Sequence, residues 1–217
     1  VVTGGVVDVP GRTMFDKMKY LRDHGDDLRQ FLLFEPRGAA VHSANLVLPS
    51  NNPKAQAGYI IMESTEYAPM SGSNTICTVT AILETGILPM TEPVTTLTLE
   101  TPAGLVYLTC QCRDGKVLQV KFQNVPSFVQ VLDAKVEVRG VGTVRLDVAW
   151  GGMHYALMDA EDFGFRIAPD EARDIAVMGE KIRAACQQQL TIVHPVNREI
   201  RHVTISGFFG PLKKKGK

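Results

Sequence analysis

The stretch Glu66–Glu84, EYAPMSGSNTICTVTAILE, joins a polar turn directly to a nearly uncharged segment with helical character. We predict a helix from Asn74 to Glu84, ended by Gly86 in the usual C-terminal glycine position. A helix that is apolar on all sides is normally surrounded by other structure. The sequence therefore predicts a buried helix whose N-terminus opens at the polar residues Ser71–Asn74.

Two interpretations fit this helix N-terminus. The first N–H groups of a helix lack intrahelical partners and carry partial positive charge, and Gly72 lets a ligand approach the backbone closely. Ser71, Gly72, Ser73 and Asn74 therefore form a plausible cradle for a carboxylate or a phosphate. The simpler interpretation is a capped helix with Ser73 or Asn74 as the cap, and on spacing alone that is the more common case.

The composition excludes several classes of protein. The 217 residues suit one large domain or two small ones, and 23 basic residues balance 23 acidic ones, so no net charge favours nucleic acid or anionic membranes. No apolar run approaches the roughly 20 residues of a membrane helix. The only basic run, KKKGK at 213–217, is interpreted as a solvated tail. Four irregularly spaced cysteines without a secretory signal predict a reduced, cytoplasmic protein.

The rest of the chain predicts an α+β fold. Helical patterns cover 12–34, where Asp26 and Asp27 offer a cap between two short pieces, and 168–189, where Pro169 lies near the start. Alternating or apolar runs predict strands, mostly joined as hairpins, at 44–50, 58–63, 95–101, 104–113, 116–125, 134–142, 143–150, 153–160 and 201–211. We place a domain boundary near Pro126, between a first half at 1–127 and a second at 128–217.

Four segments together resemble the proline racemase family. They are PMSGSNTICTVTAILETG at 69–86, FEPRG at 34–38, VPSFV at 125–129 and AWGGMHYALMDAEDFGF at 149–165. The family contains proline racemases, 4-hydroxyproline 2-epimerases and trans-3-hydroxy-L-proline dehydratases. The resemblance implies a diaminopimelate epimerase-like fold, in which two similar halves each wrap a curved, antiparallel-rich sheet around a central helix and enclose the active site between them. Against this pattern, we expect the second half to be incomplete in this sequence.

The resemblance also implies the chemistry. Family members need no cofactor: one group removes the α-proton of an imino acid, another returns a proton from the opposite side, and backbone N–H groups hold the carboxylate. Carried over to this sequence, Ser71 is the acid–base residue, and Gly72, Ser73 and Asn74 bind the substrate. The resemblance implies a small imino acid as substrate and is compatible with a homodimer, and we expect no nucleic acid, membrane or metal as partner.

The sequence departs from the family pattern at two places. Ser71 stands where the family often has Cys, and Ser73 where it often has His; a hydroxyl is a weaker acid than a thiol and needs an activating neighbour. This favours a hydroxyproline epimerase or a trans-3-hydroxy-L-proline dehydratase over a plain racemase. The second family motif, roughly Asp-x-Ser-Pro-Cys-Gly-Thr-Gly, is absent. The alternative is a truncated, non-catalytic chain that at most binds a small carboxylate or a partner subunit.

Other reactive residues are interpreted structurally. Cys77 lies in the apolar helix and is expected in the core, and Cys110 and Cys112 share one face of a strand without the spacing of a metal finger. The turn Glu35–Gly38 is expected to fix the wall of the cleft, with substrate contact as the alternative. Gly151–Gly152, before His154, is expected to be a structural glycine pair.

Overall fold

The computed structural model describes residues 1–3 and 8–211, and the chain divides into two compact units, Val1–Val125 and Pro126–Lys217. The boundary lies two residues before the division predicted from the sequence. The predicted basic tail at 213–217 lies outside the described residues. Among the helices that the structure describes, none is both long enough and apolar enough to cross a membrane.

The first unit contains three helices and six strands within its described residues. They are α1 (Met14–His24), α2 (Asp27–Leu33), β1 (Ser43–Leu48), β2 (Ala57–Glu63), β3 (Tyr67–Ala68), α3 (Gly72–Glu84), β4 (Val94–Thr101), β5 (Gly104–Arg113) and β6 (Lys116–Gln123). The strands follow the order β1-β2-β4-β5-β6, with β3 paired to β2. All pairs are antiparallel except β2 with β4, because the connection that contains α3 returns the chain in the same direction.

The first unit packs around β2, whose residues are buried on both faces of the sheet. Gly58 leaves room for α1, since a Cβ atom there would lie 2.6 Å from Cε of Met14. The next residue, Tyr59, points to the opposite face and reaches Thr75 of α3. Because neighbouring residues of a strand point to opposite faces, α1 and α3 cover β2 from its two sides. This packing explains why the run GYIIM, at 58–62, has no charged residue.

The expected cap between the first two helices takes another form. Asp26 occupies the N-cap position of α2, but its side chain makes no capping hydrogen bond. Its carboxylate instead accepts hydrogen bonds from Nε and from a terminal nitrogen of Arg29, at 2.7 and 2.8 Å. The same guanidinium donates to the backbone oxygens of Glu63 and Ser64. Asp26 therefore orients the nearly buried Arg29, and Arg29 connects α2 to the end of β2. The carboxylate forms this bidentate ion pair in place of a cap, and such pairs are among the stronger hydrogen bonds.

The second unit contains α4 (Ala172–Gln189) and the strands β7 (Phe128–Val138), β8 (Gly142–Trp150), β9 (His154–Asp159) and β10 (Ile205–Phe209). Its strands are ordered β10-β9-β8-β7, and β10 pairs with β9 in parallel. Helix α4 packs its buried residues Ile182 and Cys186 onto alternate residues of the strands. The side of α4 that faces the sheet includes Gly179, where a Cβ atom would lie 2.5 Å from Oγ of Ser206.

The predicted α+β class and the antiparallel-rich sheets are confirmed. The strands are found near their predicted positions, and Gly86 follows α3 with a left-handed φ of 75°. Several bounds differ from the prediction, including β10, which is shorter than the predicted strand at 201–211, and β3, which was not predicted. Helix α3 begins at Gly72, and β7 begins at Phe128, before the segment predicted as a strand. Register shifts interrupt the early pairing of β7 with β8, which obscures the alternation there.

Candidate active site at the N-terminus of α3

Ser71 is the N-cap residue of α3, with extended backbone angles of φ −145° and ψ 131°. A serine at this position normally uses its hydroxyl to accept a backbone N–H of the first turn. Here the side chain makes no such capping hydrogen bond. The expectation that Ser73 or Asn74 is the cap is wrong, because both residues already lie inside the first turn. The Ser71 hydroxyl is therefore at the helix mouth and is not used as a cap.

The backbone of Ser71 is held by two hydrogen bonds from Thr75. The Thr75 amide and the Thr75 hydroxyl donate to the Ser71 carbonyl oxygen, at 2.9 and 2.8 Å. The Tyr59 hydroxyl lies 2.6 Å from Oγ1 of Thr75, and since the Thr75 proton goes to Ser71, Tyr59 is the donor. Burial raises the pKa of Tyr59 to about 12, so it stays a neutral donor.

The Ser71 hydroxyl itself has two polar neighbours. Nδ2 of Asn74 donates to Oγ of Ser71 at 3.0 Å, and Oγ of Ser73 lies 3.3 Å away. Asn74 is 8% exposed, and its backbone oxygen accepts a long hydrogen bond of 3.4 Å from Nδ2 of Asn45. The side-chain oxygen of Asn45 is buried and has no partner among the described residues. A small polar network thus surrounds the helix mouth.

Backbone N–H groups at this mouth are available to an anion. Within the described part of the chain, no group accepts a hydrogen bond from the amides of Gly72, Ser73 or Asn74. The first turn of α3 contains no acidic residue that would offset its partial positive charge. These amides and the helix dipole together suit a carboxylate.

Gly72 has a packing role that the sequence did not reveal. A Cβ atom on this residue would lie 2.9 Å from Cζ of Phe122, closer than such contacts normally come. Phe122 belongs to β6, so Gly72 lets the mouth of α3 approach this strand. Sequence reasoning likewise missed Tyr59 and Thr75. The available signals were a single tyrosine in an apolar strand and a threonine four residues after the N-cap.

The prediction that Cys77 lies in the core is wrong, because Cys77 is exposed. At 100° per residue it shares the outer side of α3 with Ser73 and Ile76, opposite the fully buried Thr75 and Val79. The uncharged sequence gave no sign of this outer side. Among the described residues, no group of histidine, cysteine and acidic side chains has an arrangement that could hold a metal ion. Cys110 and Cys112 are both buried on β5.

The other segments singled out in the sequence make local contacts. Arg37 donates to the backbone oxygen of Phe31, and its guanidinium lies 3.7 Å from the centre of the Phe31 ring. Arg37 therefore holds the turn against the preceding helix α2, which favours the structural interpretation of Glu35–Gly38. Gly152 has a positive φ of 107°, which glycine adopts readily, in the connection between β8 and β9.

His154 of β9 is a buried imidazole in the second unit. It is 1% exposed, and its ring lies 4.8 Å from that of Trp150, centre to centre. Neither ring nitrogen makes a hydrogen bond of good geometry to a described residue. Burial, followed by the nearby His194, lowers the pKa of His154 to about 4, because a charged imidazole would be poorly solvated there.

Comparison with known proteins agrees with the resemblance inferred from the motifs. The family model for proline racemase matches residues 1–217. The chain belongs to the proline racemase family.

Two solved structures of this family are similar to the chain over most of its length. A hydroxyproline epimerase from Agrobacterium vitis, with bound trans-4-hydroxy-L-proline, is 41% identical with a TM-score of 0.89, over 94% of this chain and 60% of that one. A probable proline racemase from Agrobacterium radiobacter K84, with bound carbonate, is 40% identical with a TM-score of 0.90, over 94% and 61%. The fold is therefore that of proline racemases and epimerases, and the chain spans about 60% of these relatives.

Proposed function

We propose that the protein catalyses cofactor-independent proton transfer at the α-carbon of a hydroxyproline, as a hydroxyproline 2-epimerase. One observation carries this proposal. The Ser71 hydroxyl lies at the N-terminus of α3 without capping it, beside backbone amides of Gly72, Ser73 and Asn74 from which no described group accepts a hydrogen bond. The 41% identity to a hydroxyproline epimerase supports hydroxyproline as the substrate class.

The amides would hold the substrate carboxylate while Ser71 exchanges a proton with the α-carbon. Loss of the α-proton spreads negative charge onto the carboxylate, and the amides and the dipole of α3 are already oriented to stabilise that charge. Tyr59 and Thr75 would keep the Ser71 backbone in place during the reaction. Epimerisation also needs an acid–base group on the opposite side of the ring. This chain spans about 60% of its solved relatives, and we propose that a cysteine in the setting of the second family motif would supply that group.

Dehydration of trans-3-hydroxy-L-proline is the second candidate, and the surroundings of Ser71 favour it. The Ser71 hydroxyl accepts from the Asn74 amide and has no carboxylate or imidazole as a hydrogen-bond partner in the described residues. A hydroxyl in this setting is better suited to giving a proton than to taking one. In a dehydratase it would protonate the departing 3-hydroxyl group while the other residue removes the α-proton.

Proton NMR in D₂O, with the complete protein and each of L-proline, trans-4-hydroxy-L-proline and trans-3-hydroxy-L-proline, separates these activities. An epimerase incorporates deuterium at the α-carbon of trans-4-hydroxy-L-proline and forms its 2-epimer. A dehydratase converts the 3-hydroxy isomer to a pyrroline carboxylate and forms no epimer. If no substrate exchanges its α-proton and calorimetry detects no binding of pyrrole-2-carboxylate, a planar mimic of the transition state, the proposal is wrong.

Substitution of Ser71 tests the residue that carries the proposal. Ser71→Ala should lower kcat by roughly 10²- to 10⁴-fold, the usual contribution of a general acid or base. Cys77→Ala, on the outer side of the same helix, is the matched control and should leave kcat within about twofold. Equal activity of the Ser71→Ala and wild-type proteins would remove Ser71 from the mechanism.

A further inference from the structure

The side chain of Asn74 occupies an unusual place in the first turn of α3. In a common capping arrangement, the N-cap hydroxyl accepts the backbone N–H of the third helical residue. Asn74 is that third residue, and here its side-chain amide, and not its backbone amide, donates to Ser71. Because the side-chain amide replaces the backbone amide as the donor, the backbone N–H of Asn74 stays available to a ligand. The Ser71 oxygen still accepts a hydrogen bond.

We propose that Asn74 is a positioning residue that holds the Ser71 oxygen at the helix mouth and stabilises negative charge on it. Nδ2 can only donate, so Oγ of Ser71 is the acceptor and keeps its own proton for transfer. When Ser71 passes that proton to a substrate carbanion, its O–H bond breaks, a C–H bond forms and the electron pair stays on Oγ. The N–H of Asn74 then becomes a charge-assisted hydrogen bond, which is stronger than a neutral one.

The surroundings of Asn74 support this role. The residue is nearly buried, so water competes weakly for its amide. Thr75 holds the Ser71 backbone through the Ser71 carbonyl oxygen, so only the side-chain rotation of Ser71 needs a further contact to orient it. Asn45 lies against the backbone oxygen of Asn74, and its own buried oxygen, without a partner in the described residues, shows that this mouth is polar beyond what helix capping needs.

A thiol introduced at position 71 makes the proposed effect measurable without substrate. Ser71→Cys is combined with Cys77→Ala in the complete protein, because Cys77 is exposed and would react as well. The rate of alkylation by iodoacetamide is followed from pH 5 to 10, and the peptide containing position 71 is quantified by mass spectrometry. The pH midpoint reports the pKa of the introduced thiol, which in a free cysteine is about 8.5.

Two replacements of Asn74 separate a donor from a merely structural residue. Asn74→Ala removes the donor and should raise the midpoint by about one pH unit, and Asn74→Asp, which has the same shape but places an anion there, should raise it further. A merely structural role predicts an unchanged midpoint in the folded Ala variant, whereas the anion of the Asp variant raises the pKa of the thiol under either role and shows that the assay detects charge at this position. Circular dichroism and thermal unfolding verify the fold of each variant. If the Ala variant is folded and has a midpoint at or below that of the Asn parent, the amide is not a donor and the proposal is overturned.

The role in turnover rests on the proposed function, but the thiol measurement does not. In the Ser71 protein, Asn74→Ala should lower kcat at least tenfold with little change in KM, because it removes the side-chain donor but adds no charge, and the charge on Oγ forms only during proton transfer. If no hydroxyproline is turned over but the midpoints follow the expected order, the proposed function fails and the role of Asn74 stands. If hydroxyproline is turned over but the midpoints of the Asn parent and the Ala variant coincide, the proposed function stands and the role of Asn74 fails.

Discussion

Helices α3 and α4 begin in opposite ways. At α4, the 3₁₀ turn Pro169–Glu171 brings two carboxylates to the start of the helix, and Asp174 adds a third in the first turn. Arg166 binds the first two, at 2.8 Å each. At α3, neutral hydroxyl and amide groups surround the N-terminus, and the first turn contains no acid. The positive end of α4 is therefore offset by its own segment, whereas that of α3 is left for an anion from outside.

The two units also differ in how they accommodate a buried polar ring. Tyr59 in the first unit donates to Thr75 and stays neutral, with its pKa raised to about 12 by burial. His154 in the second unit lacks a well-formed hydrogen bond to any described residue, and its pKa is lowered to about 4. Only the second arrangement makes stability sensitive to mild acid, because only there does the unfolded chain bind a proton that the folded one excludes.

The largest expected effect is the loss of stability in mild acid that His154 causes. Between the ordinary pKa of 6.5 and the folded value of about 4, the unfolded state binds more protons at His154, so stability falls as the pH is lowered through this range. We expect His154→Phe to remove about 2 kcal/mol of this loss between pH 7 and pH 4. Urea unfolding at both pH values measures it. The surface variant His24→Gln is the control, and an unchanged acid loss in His154→Phe would contradict the prediction.

The glycines that bring each helix against its sheet should respond differently to alanine. Gly72→Ala meets the ring of Phe122 and should destabilise the protein by about 1 to 2 kcal/mol. Gly179→Ala comes too close only to the hydroxyl of Ser206, which can rotate, while Cε2 of Phe208 stays at an ordinary contact distance of 3.5 Å. The change gains about 0.5 to 1 kcal/mol of helix propensity, so its net effect should be near zero.

Denaturant unfolding of both variants measures this contrast. Phe122→Leu combined with Gly72→Ala should recover part of the lost stability, since the shorter side chain removes the contact. If Gly179→Ala proves as destabilising as Gly72→Ala, the difference between the two helix–sheet contacts does not exist.

The smallest expected effect on stability comes from a substitution that gives the N-terminus of α3 an acidic residue, as α4 has. Ser73→Asp places a carboxylate in the first turn, on the exposed side of the helix. We expect the free energy of unfolding to rise by about 0.3 to 1 kcal/mol, because the acid offsets the helix dipole. The same charge should repel the substrate carboxylate and raise KM about tenfold. Ser73→Asn is the neutral control, and a KM unchanged by Asp would show that the carboxylate binds elsewhere.

The polar N-terminus of α3 could be located from the sequence, but the arrangement of its side chains could not. The change from a polar turn to an uncharged helix is local, so the spacing of Ser71–Asn74 was enough to predict a helix mouth. The partners of Ser71 were not predictable: Thr75 was indistinguishable from its apolar neighbours, and Tyr59 lies 16 residues earlier on another element. Cys77 was misplaced in the core because no charged residue marks the outer side of α3.

The sequence by itself determined the α+β class, the succession of hairpins, the family and the position of the helix mouth. All of these depend on periodicity and motifs that neighbouring residues carry. Only the tertiary structure decided which side of α3 is buried, that Phe122 lies against Gly72, and that His154 is enclosed without a good hydrogen bond. These features depend on strand order and on contacts between distant segments, because a side chain's environment is set by the elements packed against it and not by its neighbours in the chain.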